Sequence, residues 1–155
     1  MSGPSKRLSR VSRLRRLVQV PLLRRFRMPS RRSAIAPTVE RILGAIEDAG
    51  LDSDRRADLA VATAEALSNA AVHGNRLRPG TQVLITVGVI PGREATVEVK
   101  DSGPGFDYTA VSDPTDPAHL LVPGGRGVFL MRRLVDRLEF RPPGNDVCLM
   151  VRTRR

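Results

Sequence analysis

The chain has 155 residues, of which 41% are hydrophobic, enough for one globular domain and too few for two sizeable ones. Aromatic residues make up only 3% and Trp is absent, so the core must be built mainly from aliphatic side chains. A net charge of +10 suggests an anionic partner. The single cysteine, Cys148, excludes an intrachain disulfide and is typical of a cytoplasmic protein. No apolar run approaches the roughly 20 residues of a membrane helix.

The positive charge is concentrated at the start of the chain. Residues 1–33 contain no acidic residue and eleven basic ones: Lys6, Arg7, Arg10, Arg13, Arg15, Arg16, Arg24, Arg25, Arg27, Arg31 and Arg32. The other fifteen basic residues nearly balance the sixteen acidic ones, so binding of DNA or a membrane would be an accessory property of the leader. We assign residues 1–23 to this basic leader and residues 24–155 to a folded domain. Apolar residues at roughly helical spacing in the leader fit an amphipathic helix that touches an anionic surface, and a disordered tail is the alternative.

Two helices follow a short edge strand at residues 24–29. The first is predicted from Pro37 to about Ala49, because apolar residues share one face and Gly50 follows. The second is capped by Asp52 or Ser53, is rich in Ala and reaches His73, and Gly74 stops it.

The second half of the chain is dominated by strands. Alternating apolar residues bounded by Pro-Gly turns predict strands at 81–90 and 94–100, a loop at 102–125, a helix near 128–137 and a hairpin of 138–141 with 147–152. This order favours an α+β two-layer sandwich, with a mixed, mostly antiparallel sheet and helices on one face.

A polar stripe lies on the second helix. Glu65, Asn69 and His73 recur every four residues among small apolar neighbours, so they share one helix face. Carboxylate and amide oxygens suit Mg²⁺, and a carboxylate beside bound ATP can accept a proton from an attacking hydroxyl. A solvated helix face is the alternative interpretation.

The segment Asp101-Ser-Gly-Pro-Gly-Phe106 follows the second predicted strand. Alternation places Asp101 on the same side as the apolar Val97 and Val99, so its carboxylate points inward and needs a donor, which a purine amino group can supply. Gly103 and Gly105 permit conformations or close approaches that a Cβ would block. An ordinary Asp-Ser-Gly turn is the alternative.

A glycine-rich segment, Gly124-Gly-Arg-Gly-Val-Phe-Leu-Met131, runs into the last predicted helix. Free backbone N–H groups at a helix start attract phosphates, and Arg126 adds a positive charge. The segment matches neither a Walker motif nor a dinucleotide fingerprint. A flexible loop before a helix remains the alternative.

The three clusters in this order resemble the nucleotide-binding boxes of the ATPase superfamily that includes gyrase, Hsp90, histidine kinases and MutL. The segment Glu65-Ala-Leu-Ser-Asn-Ala-Ala-Val-His-Gly74 is most similar to that of bacterial anti-sigma-factor serine/threonine kinases, and the resemblance covers about residues 25–153. It implies ATP and Mg²⁺ as ligands, with Glu65 as the general base and Asn69 as the metal ligand. The nucleotide-binding positions that it implies are Asn69, His73, Asp101, Gly103, Gly105, Gly125, Arg126, Gly127 and Val128.

The same resemblance implies a cytoplasmic regulator of transcription. Such a kinase phosphorylates a small antagonist protein, sequesters a sigma factor in another state, and forms a homodimer. The catalytic fragment of a histidine kinase is disfavoured, since residues 1–50 contain no histidine.

One departure concerns the segment 107–123, which corresponds to the lid of the family. Some members carry a lid arginine that reaches the terminal phosphate, whereas this segment contains no Arg or Lys. The sequence therefore leaves a second function open, an ATP-dependent protein-interaction module with weak or no kinase activity.

Overall fold

A computed structural model describes residues 21–111 and 125–154. In chain order the strands and main helices are β1 (Leu22–Pro29), α1 (Ile35–Ala45), α2 (Ser53–Ser68), β2 (Gln82–Ile90), β3 (Glu94–Lys100), α3 (Gly125–Leu134), β4 (Arg137–Arg141) and β5 (Asp146–Arg152). Short 3₁₀ turns lie at Arg32–Ala34, Glu47–Ala49 and Tyr108–Val111, and a π-helical turn at Asn69–Gly74 prolongs α2.

The five strands form one sheet in the order β1-β2-β3-β5-β4, and every neighbouring pair of described strands is antiparallel. The predicted α+β class, the edge strand near residues 24–29 and the C-terminal hairpin are confirmed. The sheet buries alternate residues, such as Val83, Ile85 and Val87 of β2, while Leu84 between them stays 47% exposed. This alternation gives the sheet one face that packs and one that meets solvent.

The helices cover the packed face. Ile42 of α1, Leu59 of α2 and Met131 of α3 are almost fully buried, in one core with the inward strand residues. The carboxylate of Asp52 accepts a hydrogen bond of 2.8 Å from the backbone N–H of Arg55, which confirms the predicted cap of α2.

Three helix boundaries differ from the sequence prediction. The first helix leaves α geometry at Ala45 and finishes as a 3₁₀ turn that Gly50 ends with φ of +69°. The second changes from α to π geometry at Asn69. The last runs from Gly125 to Leu134 instead of from about 128 to 137, because Gly125 and Gly127 lie inside its first turn, where Gly127 packs against Glu65 of α2. The predicted loop is described only to Val111, and the rest of it and the leader to residue 20 lie outside the described residues.

Arg55 fastens α3 to the rest of the fold. Its guanidinium donates to the Leu134 carbonyl oxygen at 3.2 Å and pairs with Asp58 at 3.1 Å and with Asp136. The end of α3 is thereby held against the start of α2.

None of the described helices is long and apolar enough to cross a membrane.

Candidate functional site

A cavity of about 240 Å³ opens between the end of α2, the end of β3 and the β4–β5 hairpin. Its lining combines polar groups with an apolar wall, as small-molecule sites do. The polar lining residues include Asn69, His73, Arg76, Asp101 and Asn145, and the apolar ones include Ala66, Val99, Phe106, Met131, Phe140 and Val147.

The end of α2 brings two predicted residues to this cavity. Asn69 begins the π-helical turn, in which the backbone N–H of Asn75 donates to the Ala70 carbonyl oxygen five residues earlier at 2.8 Å. Turns of this kind are often found at functional sites. Asn69 and His73 both line the cavity, and His73 is exposed.

Asp101 directly follows β3 and lines the cavity together with Val99, on the side that its sequence position predicts. Its Oδ1 accepts a hydrogen bond of 2.7 Å from the backbone N–H of Gly103. Burial raises the pKa of the Asp101 carboxyl, and the Gly103 N–H opposes that rise. A half-buried carboxylate with one described donor has acceptor capacity left for a ligand that supplies an N–H group.

Glycines bring the backbone close to this carboxylate. A Cβ on Gly74 would lie 2.2 Å from Cγ of Asp101, and one on Gly103 would lie 2.4 Å from the Gly74 carbonyl oxygen. Gly105 has φ of +80°, and a Cβ there would lie 2.1 Å from the Pro143 carbonyl oxygen. The second cluster therefore needs its glycines for packing as much as for conformation.

The third cluster meets the first at the start of α3. A Cβ on Gly127 would lie 2.8 Å from Oε2 of Glu65 and 3.3 Å from Nδ2 of Asn69. Gly125 and Gly127 are buried and Arg126 is exposed, while the Val128 side chain is fully buried in the core. The structure thus brings together Glu65, Asn69 and Gly127, and it leaves only backbone groups of Val128 for any ligand.

Two features of the site were missed by sequence reasoning. One is an aromatic cluster, in which the Phe140 ring lies 5.3 Å from that of Phe106 and 5.2 Å from that of Tyr108. The hint was Phe106 directly after the glycines, but its partner Phe140 is distant in sequence.

The other is Asn75, which is 4% exposed. Its amide donates to Oγ of Ser30 at 2.9 Å and to the Gln82 carbonyl oxygen at 3.1 Å, and its oxygen accepts from the Ser102 N–H at 2.8 Å. It therefore ties the loop after α2 to the residue that follows Asp101. Its place directly after His-Gly was the available signal.

Residues 28–151 match the model of the histidine kinase-like ATPase domain, and the chain belongs to that family. The family implies ATP binding.

The chain is also similar to the serine-protein kinase RsbW of Bacillus subtilis (strain 168), with 32% identity over 96 residues. The match covers 58% of this chain and 59% of RsbW. The chain therefore matches about three fifths of the length of this relative.

Proposed function

We propose that this protein binds Mg-ATP in the described cavity and transfers the terminal phosphate to a serine or threonine of a small antagonist protein. In another state it would sequester a sigma factor and so regulate transcription from the cytoplasm, as a homodimer. The similarity to RsbW, named as a serine-protein kinase, supports the choice of acceptor class.

The meeting of Glu65 with Gly127 carries this proposal. A carboxylate 2.8 Å from the position of a Gly127 Cβ stands beside the first turn of α3, where backbone N–H groups attract phosphates. Glu65 does not itself line the cavity, but Asn69 beside it does, so in this proposal the carboxylate would face the phosphate end of a nucleotide whose purine lies at Asp101. The geometry therefore supports Glu65 as the base and Asp101 as the purine reader.

The donor set fits a magnesium ion that is held largely by its substrate. No group of three or more His, Cys, Asp or Glu in the described ranges could hold a metal by itself. Mg²⁺ commonly takes one or two protein ligands and completes its shell with phosphates and water. Asn69 would be the protein ligand here, and the ion would neutralise charge on the phosphates.

The transfer step needs little from the protein beyond position and one base. The acceptor hydroxyl oxygen forms a bond to the γ-phosphorus, the bond from that phosphorus to the β,γ-bridging oxygen breaks, and ADP leaves with the electron pair. Glu65 accepts the hydroxyl proton. His73, Gly103, Gly105, Gly125, Arg126 and backbone groups of Val128 would surround the nucleotide, and of these His73 and Gly105 line the cavity.

A second function is favoured by one observation. The segment 107–123 has no Arg or Lys, so it offers no cation for the terminal phosphate. The alternative is an ATP-dependent interaction module that binds its partners with weak or no phosphate transfer.

Incubation with γ-labelled ATP, Mg²⁺ and the cognate antagonist separates the two functions. A kinase labels the antagonist on serine or threonine. ATP binding without label on a verified, binding partner would move the protein to the interaction-module class.

A further inference from the structure

The backbone is strained where the chain leaves the π-helical turn. Arg76 and Leu77 both have φ of +54°, in the left-handed region that residues with a Cβ disfavour. Strained positions of this kind persist only where the surroundings enforce them, and they cluster at ligand sites. Two in succession beside the cavity therefore call for a reason.

The surroundings do enforce the conformation. The three side-chain hydrogen bonds of Asn75 fix the residue just before the strained pair. The Leu77 N–H donates to the Ala71 carbonyl oxygen at 2.9 Å, and the Leu77 side chain packs on the core. Leu77 thus gains burial from this turn, whereas the Arg76 side chain is exposed and gains none.

The left-handed turn instead places Arg76 in the lining of the cavity. Among the described lining residues it is the one Arg or Lys, in the same cavity as Asn69 and Asp101. Arg126 is exposed and does not line this cavity, and the segment 107–123 contributes no Arg or Lys. Among the described residues that line the cavity, Arg76 is therefore the one that carries a permanent positive charge.

We propose that Arg76 is a nucleotide-binding residue whose guanidinium contacts the phosphate chain. This inference rests on the proposed ATP site. In this proposal the half-buried Asp101 would hold the purine, and the exposed Arg76 side chain would extend to the solvent-side, phosphate end of the nucleotide. A guanidinium binds phosphate oxygens through paired N–H groups, which fits this end better than the base.

Arg76→Gly tests the proposal, because glycine accepts φ of +54° without strain. The thermal midpoint of the free protein should rise. Affinity for ATP and ADP, measured by calorimetry, should fall roughly five- to twentyfold, and affinity for adenosine should change less than twofold. Arg76→Lys keeps the positive charge but not the paired N–H groups, so its affinity for ATP and ADP should lie between those of the wild type and Arg76→Gly.

Arg78→Ala is the matched control, since Arg78 is exposed and lies outside the cavity lining. It should bind all three ligands as the wild type does. Unchanged ATP affinity in Arg76→Gly, or an equal loss for adenosine, would overturn the role of Arg76 and leave the ATP site standing. Failure of the wild type to bind ATP would overturn both.

Discussion

Glu65 packs so closely against Gly127 that residue 127 has no room for a side chain, since a Cβ there would lie 2.8 Å from the Glu65 Oε2 atom. Sixty-two positions apart in sequence, they place the carboxylate of α2 beside the first turn of α3. The proposed kinase activity depends on this placement of the Glu65 carboxylate.

Gly127→Ala should disturb the chemistry more than the fold. The new methyl group would displace the Glu65 carboxylate, a side-chain end that moves easily, while alanine favours the helix by about 1 kcal/mol. We expect a thermal midpoint equal to or above the wild type and phosphate transfer reduced about tenfold or more. Gly44→Ala in α1 is the control, because a Cβ there has nothing within 4 Å. A transfer rate in Gly127→Ala as high as in Gly44→Ala would show that the Glu65 position is unimportant.

Asp101→Asn should weaken ATP binding without harming the free protein. The amide keeps the acceptor for the Gly103 N–H but presents a donor to the purine amine, at a cost of about 1–3 kcal/mol, or roughly ten- to a hundredfold in affinity. Because burial makes the wild-type carboxylate costly, the thermal midpoint of the free variant should not fall. Calorimetry and thermal melts check the two halves separately, and unchanged ATP affinity would place the purine elsewhere.

The raised pKa of Asp101 predicts two pH effects. A carboxyl whose pKa is higher folded than unfolded contributes stability below the unfolded value, and that contribution is lost as the pH rises through the folded value. ATP affinity should instead increase as the pH rises through the folded pKa, because the purine amine needs the ionised acceptor. Lowering the pH through the folded pKa should therefore weaken adenosine binding in the wild type but not in Asp101→Asn. Parallel pH profiles for the two proteins would contradict this assignment.

Residues 1–20, the part of the predicted leader that precedes β1, should be dispensable for the nucleotide site, and Leu22 and Leu23, which were assigned to the leader, belong to β1. β1 begins at Leu22 and pairs with β2 along its whole length, so a protein starting at Pro21 keeps every described strand. It should melt and bind ATP like the full chain. Any binding of the full chain to anionic vesicles should vanish in this variant and weaken with salt in the full chain. Loss of ATP binding on truncation would show that residues 1–20 complete the site.

The strands and the three clusters could be predicted from the sequence, because strand alternation and glycine position are local signals. The sheet was predicted as mixed, whereas every neighbouring pair of described strands is antiparallel. Alternation placed Asp101 inward, and the spacing of Asn69 and His73 brought both to the cavity. The features that the sequence could not predict depend on contacts between residues that are far apart in the chain. The start of α3 was placed too late because glycine usually ends or precedes a helix, whereas here Gly127 is needed inside it for contact with Glu65.

The strain at Arg76 was equally hidden. The sequence of Arg76 and Leu77 does not predict a left-handed backbone conformation at either residue. That conformation depends on the hydrogen bonds of Asn75 with Ser30, Gln82 and Ser102. The aromatic cluster was hidden for the same reason, since Phe140 and Phe106 are in contact in the fold but lie 34 positions apart in the sequence.

Transfer of γ-labelled phosphate to the antagonist by Glu65→Gln tests the central claim most directly. The amide keeps the shape of the side chain but cannot accept a proton, so transfer should fall about 10²–10⁴-fold while ATP affinity changes little. Asn69→Ala in the same assay should lose Mg-ATP affinity as well as transfer, because it removes the proposed metal ligand. A wild-type rate of transfer by Glu65→Gln would contradict the account, since the carboxylate beside Gly127 would then have no part in the reaction.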